Sequence, residues 1–172
     1  PELSNVPRLV LPAQTALPMH DEAATRRIEA RAQAGLEAGA LMRHAGLSVA
    51  RWTLAMEPHA RRIWIAAGPG GNGGDGLHAA AELQTRGIAV TVTLCAQPDL
   101  LPPDAQQGLH RAKAAGVQLR TQPPEIPDLS RGLFDVVIDA LLGLGGGRAP
   151  RGDLAEAVKA LNVAQAPCLA VD

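Results

Sequence analysis

Gly68-Pro69-Gly70-Gly71-Asn72-Gly73-Gly74-Asp75-Gly76 places six glycines in nine positions, so backbone rather than side chain is on offer there. Before it, Arg62-Ile63-Trp64-Ile65-Ala66-Ala67 reads as a short buried strand. After it, Leu77 to Arg86 reads as a helix closed by Gly87. Strand, glycine loop and helix together aim the unpaired N–H groups of a helix's first turn at an anion, usually a phosphate. Glycine lets those amides approach a ligand closely and tolerates positive φ. The stretch predicts a nucleotide or phosphate site.

Outward from the loop, strand and helix alternate. Strand 89–95 follows the helix, then a helix over Asp104–Ala115 with Pro102 and Pro103 at its start and Gly116 at its end. Val117–Arg120 reads as a short strand, Thr121–Gly132 as a surface loop, Phe134–Leu142 as a strong apolar strand, Gly152–Ala164 as a helix and Pro167–Val171 as a last strand. Upstream, Pro1 to Pro18 reads as an extended arm and Met19 to Ala34 as a helix. Ala40 to Glu57 reads as a stronger helix with Leu41, Ala45, Val49, Trp52 and Met56 on one stripe. Such alternation predicts an α/β, three-layer α/β/α Rossmann-like fold with a mostly parallel sheet and an N-terminal helical region. Ligands in these sheets bind beyond the carboxyl ends of the strands.

Gly68, Gly70 and Gly73 satisfy G-x-G-x-x-G, a weak pattern alone. An NAD-binding unit of the ordinary kind adds an acid about 20 residues on, at the end of the second strand. Here Val90 to Cys95 ends without one, and the next acid is Asp99, after Pro98. The loop also lacks the Lys-Ser/Thr ending of a P-loop. It carries an acid of its own, Asp75, which either caps the following helix or bonds a ligand hydroxyl, or does both.

Composition narrows the class. The 172 residues suit one domain with a sizeable core. Trp52, Trp64 and Phe134 are the only aromatics, so the core is aliphatic and stacking platforms for single strands are lacking. A net charge of −1 leaves no electrostatic footprint for nucleic acid or anionic lipid. No apolar run approaches the roughly 20 residues of a membrane span, so neither nucleic acid nor membrane is an expected partner. Cys95 and Cys168 fall in expected strands and read as buried reduced thiols of a cytoplasmic protein.

Two more acids should meet the glycine loop at the carboxyl edge. Asp139 follows Val136-Val137-Ile138 and precedes the loop Gly143-Leu144-Gly145-Gly146-Gly147-Arg148-Ala149-Pro150; Asp172 follows Cys168-Leu169-Ala170-Val171. A carboxylate among apolar strand residues needs donors or a cation. Each acid alone also reads as a strand-end carboxylate bonded to loop amides.

Three blocks carry a family resemblance. The glycine loop is similar to the G-P-G-N-N-G-G-D-G loop of the YjeF N-terminal domain, the NAD(P)H-hydrate epimerase family, with Gly71 where the family usually has its first Asn. Asp139-Ala140-Leu141-Leu142-Gly143 resembles the family's D-A-L-F-G, and Ala170-Val171-Asp172 resembles the start of its V-D-[IV]-P-S-G. The resemblance covers essentially the whole chain, as a single domain over 1–172 that is truncated at its C-terminal end, before the family's Ser. It implies an isomerase that interconverts the R and S epimers of hydrated NADH or NADPH at the C6 hydroxyl. It implies that Gly71, Asn72, Gly73, Gly74, Asp75, Gly143, Leu144, Gly145, Gly146, Gly147, Arg148, Ala149 and Asp172 contact the nucleotide, and that Asn72 and Asp139 ligate a potassium ion. Asp172 is the expected acid/base. Asp153, with Glu156 three residues on, reads as a capping pattern instead. A homodimer, and a fused dehydratase domain in the full-length protein, are open expectations. The rival readings are a non-catalytic YjeF-like binding or scaffold domain and an NAD(P)-dependent oxidoreductase.

Overall fold

Five parallel strands in the order β3-β2-β1-β4-β5 form the centre of a computed structural model that describes residues 20–143 and 149–172. The expected arm over residues 1–18 lies outside the described residues. The strands are β1 Arg62–Ala67, β2 Ala89–Leu94, β3 Gln118–Arg120, β4 Val136–Ala140 and β5 Cys168–Ala170. The helices are α1 Glu22–Gln33, α2 Ala40–Met56, α3 Gly71–Thr85, α4 Pro103–Ala114, α5 Ile126–Ser130 and α6 Asp153–Val163. The three-layer expectation holds.

β1 is central, and five of its six residues are buried, which is why it reads as a nearly continuous apolar run. Its side chains alternate between two cores. Ile63 and Ile65 join Val92, Ile138, Leu77 and Leu83 under α3 and α4. Trp64 joins Phe134, Val137, Leu129 and Ala160 on the opposite face, under α5 and α6. Each large aliphatic side chain withdrawn from water in this way contributes about 1.5–3 kcal/mol. Trp64 keeps its indole N–H satisfied by donating to Thr93 Oγ1 at 3.0 Å.

Asp135 closes the amino edge of the sheet. Its Oδ2 accepts from the amides of Arg61 at 2.7 Å and Arg62 at 2.8 Å, fixing the start of β1 against β4. Those bonds hold its carboxyl below the usual range.

Several expectations are corrected. α2 does not bury the stripe Leu41, Ala45, Val49, Trp52 and Met56: Trp52 is 60% exposed and Met56 38%. Gly46, Ala50 and Thr53 are buried instead, because α2 comes so near α3 that a Cβ at Gly46 would lie 2.4 Å from His78 Cβ. Small residues, not large ones, mark that helix–helix contact. The segment expected as a plain loop over Thr121–Gly132 contains α5, which buries Leu129. Cys95 is buried but Cys168 is exposed; both are free. The expected cap at Asp153 is absent: Gly152 takes the N-cap position at φ 56° without a side-chain cap bond. Among the described residues, no helix is long and apolar enough to cross a membrane.

Candidate functional site

The chain turns from β1 toward β2 on one side and brings β4 in on the other, so the carboxyl edge between β1 and β4 is the topological switch point where such sheets bind ligands. The glycine stretch sits there. The amide of Gly68 donates to the carbonyl of Ala140 at 2.9 Å, joining the end of β1 to the end of β4.

The stretch is less a loop than the sequence implies. α3 begins at Gly71, with Gly70 as an extended N-cap and no side-chain cap, so Asn72, Gly73 and Gly74 lie in its first turn. Asp75 lies one turn into the helix, and the N-cap reading for it is corrected. None of the stretch's glycines has positive φ. Four of them pack closely within the chain, three against backbone or a rigid Cβ and Gly74 against the movable end of Met42. A Cβ at Gly68 would fall 1.8 Å from Leu141 O, at Gly73 1.9 Å from Gly68 O, at Gly74 2.4 Å from Met42 Sδ and at Gly76 2.8 Å from Ala140 Cβ. Only Gly70 and Gly71 have open space beside them. The face offered to a ligand is therefore Gly70-Gly71-Asn72, where the first helical amides have no intrahelical partner. The glycines behind it let the helix start so tightly against the sheet.

That face opens into a pocket of about 490 Å³ lined by Pro69, Gly70, Gly71, Asn72, Leu141, Leu142, Gly143 and Asp172, with Glu22, Thr25, Arg26 and Glu29 of α1 across from them. Gly143 faces the Asn72 side chain so closely that a Cβ there would lie 2.7 Å from Asn72 Oδ1. Of the loop that follows, Leu144, Gly145, Gly146, Gly147 and Arg148 lie outside the described residues; Ala149 is exposed.

Asn72 and Asp139 reach one another through Val171. The Asn72 amide donates to the Val171 carbonyl at 2.6 Å, and the Val171 amide donates to the Asp139 carbonyl at 2.8 Å. The Asp139 side chain shares its strand face with Val137, on the α6 side, and its Oδ1 accepts from the Leu141 amide at 3.1 Å. The strand-end role weighed for Asp139, a carboxylate bonded to a loop amide, is thus present.

Asp172 is exposed and lines two cavities. Besides the loop pocket it borders a cleft of about 270 Å³ between α2 and β5, whose wall includes Ser48, Val49, Trp52 and Asp75. Burial, and then the nearby Glu29 carboxylate, push the Asp75 carboxyl up to about 7. No hydrogen bond to that carboxyl forms among the described residues. Asp75 is thus a half-buried acid that shares its cleft with a second acid, Asp172. The family resemblance implies that Asp75 contacts the nucleotide but gives no sign of its proton, because the α2 residues that share its cleft and the Glu29 charge are distant in sequence.

Comparison with known proteins follows this geometry. The sequence pattern described as YjeF-related protein N-terminus matches residues 38–172. The NAD(P)H-hydrate epimerase of Bordetella pertussis is 39% identical over 134 residues, covering 77% of this chain and 56% of that protein. The bifunctional NAD(P)H-hydrate repair enzyme Nnr of Thermofilum pendens is 37% identical over 147 residues, covering 84% of this chain and 28% of that protein. The chain thus spans little more than half of one relative and under a third of the other. The crystal structure of yeast ynu0 superposes with a TM-score of 0.79 at 22% identity, over 91% of this chain and 70% of that one, a likeness of fold. The chain belongs to the YjeF-related protein N-terminus family.

Proposed function

We propose that this chain is the nucleotide-handling domain of an NAD(P)H-hydrate epimerase, interconverting the R and S epimers at the C6 hydroxyl of hydrated NADH or NADPH. The observation that carries the reading is that Asp172 lines both the pocket at the Gly70-Gly71-Asn72 amides and the cleft holding Asp75. The names of the Bordetella and Thermofilum relatives point the same way. The amides and the positive end of the α3 dipole receive the pyrophosphate. The reduced ring then lies toward β5, between the two carboxyl groups.

Epimerisation needs the hydroxyl to leave one face of C6 and water to arrive on the other. Asp75, protonated up to about pH 7, gives its proton to the departing hydroxyl, which leaves as water while the ring nitrogen's electron pair forms an iminium. Water adds to the opposite face and gives its proton to Asp172. Solvent then restores the two carboxyl groups, so protons and electrons balance. Both groups also stabilise the cationic intermediate.

Potassium enters the proposal through Asn72 and Asp139. The Asn72 amide nitrogen is engaged by Val171 and one Asp139 oxygen by Leu141, leaving Asn72 Oδ1 and the second Asp139 oxygen as hard donors of the kind such a cation takes. A bound ion would supply positive charge beside the nucleotide. The two free thiols, Cys95 and Cys168, support a reducing cytoplasmic setting. A dehydratase domain elsewhere in the full-length protein belongs to the proposal through the bifunctional relative.

The test is direct. Mixing R-hydrate with the protein should produce the S epimer faster than the buffer alone does; equal rates would reject the epimerase reading.

A further inference from the structure

Another cavity stands apart from the glycine stretch. It has a volume of about 570 Å³ and lies between α4 and the β3 edge of the sheet, walled by Leu94, Leu109, Leu119 and Pro123, with Lys113 and Arg120 among its polar lining. It opens at the carboxyl ends of β2 and β3. Leu94 is in register with Ala67, the residue before Gly68, and the Cys95 amide donates to the Ala67 carbonyl at 2.8 Å. Arg120 is in register with Thr93. With strands about 4.8 Å apart, the cavity stands one to two strands from the first turn of α3.

We propose that this cavity is the subsite for the adenosine end of the dinucleotide, and that it favours the form carrying a 2′-phosphate. The inference rests on the pyrophosphate lying at Gly70-Gly71-Asn72, as in the proposed function. From there one arm of a dinucleotide runs toward β4 and β5, where Asp139 and Asp172 stand. The other arm runs along the same carboxyl edge toward β2 and β3. Leucine and proline walls suit the two faces of a purine.

The wall is preformed. Trp64 donates to Thr93 Oγ1 at 3.0 Å, and that hydroxyl donates to the Gln122 carbonyl at 3.2 Å, so a buried chain of bonds holds the 121–125 segment against β2. The charge decides between the two nucleotides. A ribose 2′-hydroxyl is ordinarily taken by an acid at the end of the second strand, and a 2′-phosphate by a nearby arginine. Here β2 ends in Leu94-Cys95-Ala96-Gln97 without an acid. Arg120 and Lys113 line the cavity, and neither forms a salt bridge among the described residues. Glu125, also in the lining, removes one of those two charges and leaves a surplus of one positive charge for a phosphate.

Calorimetry with adenosine 2′,5′-bisphosphate, 5′-AMP and nicotinamide mononucleotide tests this on the wild-type chain and on Arg120→Glu and Lys113→Glu. Both substituted residues are exposed, so the fold should stand. The bisphosphate should bind roughly 10-fold more tightly than AMP, and either substitution should bring the ratio near 1 with the mononucleotide unaffected. Equal binding of bisphosphate and AMP to the wild type, or a ratio untouched by Arg120→Glu, would overturn the 2′-phosphate preference, and failure of both to bind the wild type would overturn the adenosine subsite itself. If the mononucleotide binds normally in that case, the glycine-stretch site stands alone. If the bisphosphate discriminates as expected but the mononucleotide fails to bind, the subsite is supported and the ring-side reading of the function is what fails.

Discussion

The side-chain amide of Asn72 donates to the main-chain carbonyl of Val171 at 2.6 Å, fastening the first turn of α3 to the end of β5. One bond thereby sets the position of the helix amides relative to Asp172, the next residue in the chain. Asn72→Ala should lower the melting temperature by about 2–4 °C, for a net loss near 1 kcal/mol, and weaken binding of a nicotinamide dinucleotide. Asn72→Asp should do worse, since it sets a carboxylate against a carbonyl. Unchanged melting and affinity in both variants would show that the bond positions nothing.

The glycines divide into two kinds, and substitutions should tell them apart. Gly71 has open space beside it, so Gly71→Asn should melt within about 1 °C of the wild type. At Gly73 a Cβ meets the Gly68 carbonyl at 1.9 Å, so Gly73→Ala should lower the melting temperature by roughly 3–10 °C. Scanning calorimetry on both decides it; equal effects would contradict the packing account.

Asp75 predicts a pH signature. Its carboxyl is raised from 3.8 to about 7 on folding, chiefly by burial. Below the unfolded value both states are protonated and nothing is lost. As pH climbs through about 7 the folded state must carry a desolvated charge, and stability falls. Asp75→Asn, neutral throughout, should therefore melt higher than the wild type at pH 8 and alike at pH 4, while turnover collapses. A variant that melts lower at pH 8 would show that the carboxylate is structural.

Asp135 should behave in the opposite sense. Its amide bonds hold the carboxyl below its ordinary value, so its contribution is present above the unfolded pKa and is lost as pH falls through the lowered one. Asp135→Ala should melt about 2–4 °C lower at pH 7, with the difference fading in acid. Because its bonds to the Arg61 and Arg62 amides are solvent-exposed, the effect should show partial screening by salt.

Much of this was legible in the sequence because apolar runs and glycine punctuation report burial directly. β1 falls on Arg62–Ala67 as read, and α4 stops before Gly116 as read. What stayed hidden depends on contacts between distant segments. α2 buries glycine, alanine and threonine against α3, a choice no hydrophobic stripe reveals. α3 starts at Gly71, among residues of the poorest helix propensity short of proline, because at Gly73 and Gly76 the Gly68 carbonyl and the Ala140 side chain leave no room for a Cβ. α5 is five residues long, too short for periodicity. At the site, the glycine stretch, Asp139 and Asp172 were placed at the carboxyl edge from strand order alone. The Val171 bridge and the raised Asp75 carboxyl needed the fold.

The most direct test of the central claim is the rate of R-to-S conversion by Asp172→Asn, measured with nucleotide affinity on the same preparation. The substitution keeps shape and most hydrogen bonding but removes the group that takes the proton from incoming water. The account predicts turnover lower by roughly 10²–10⁴-fold, with affinity and melting temperature little changed. Turnover per folded molecule equal to the wild type would contradict it.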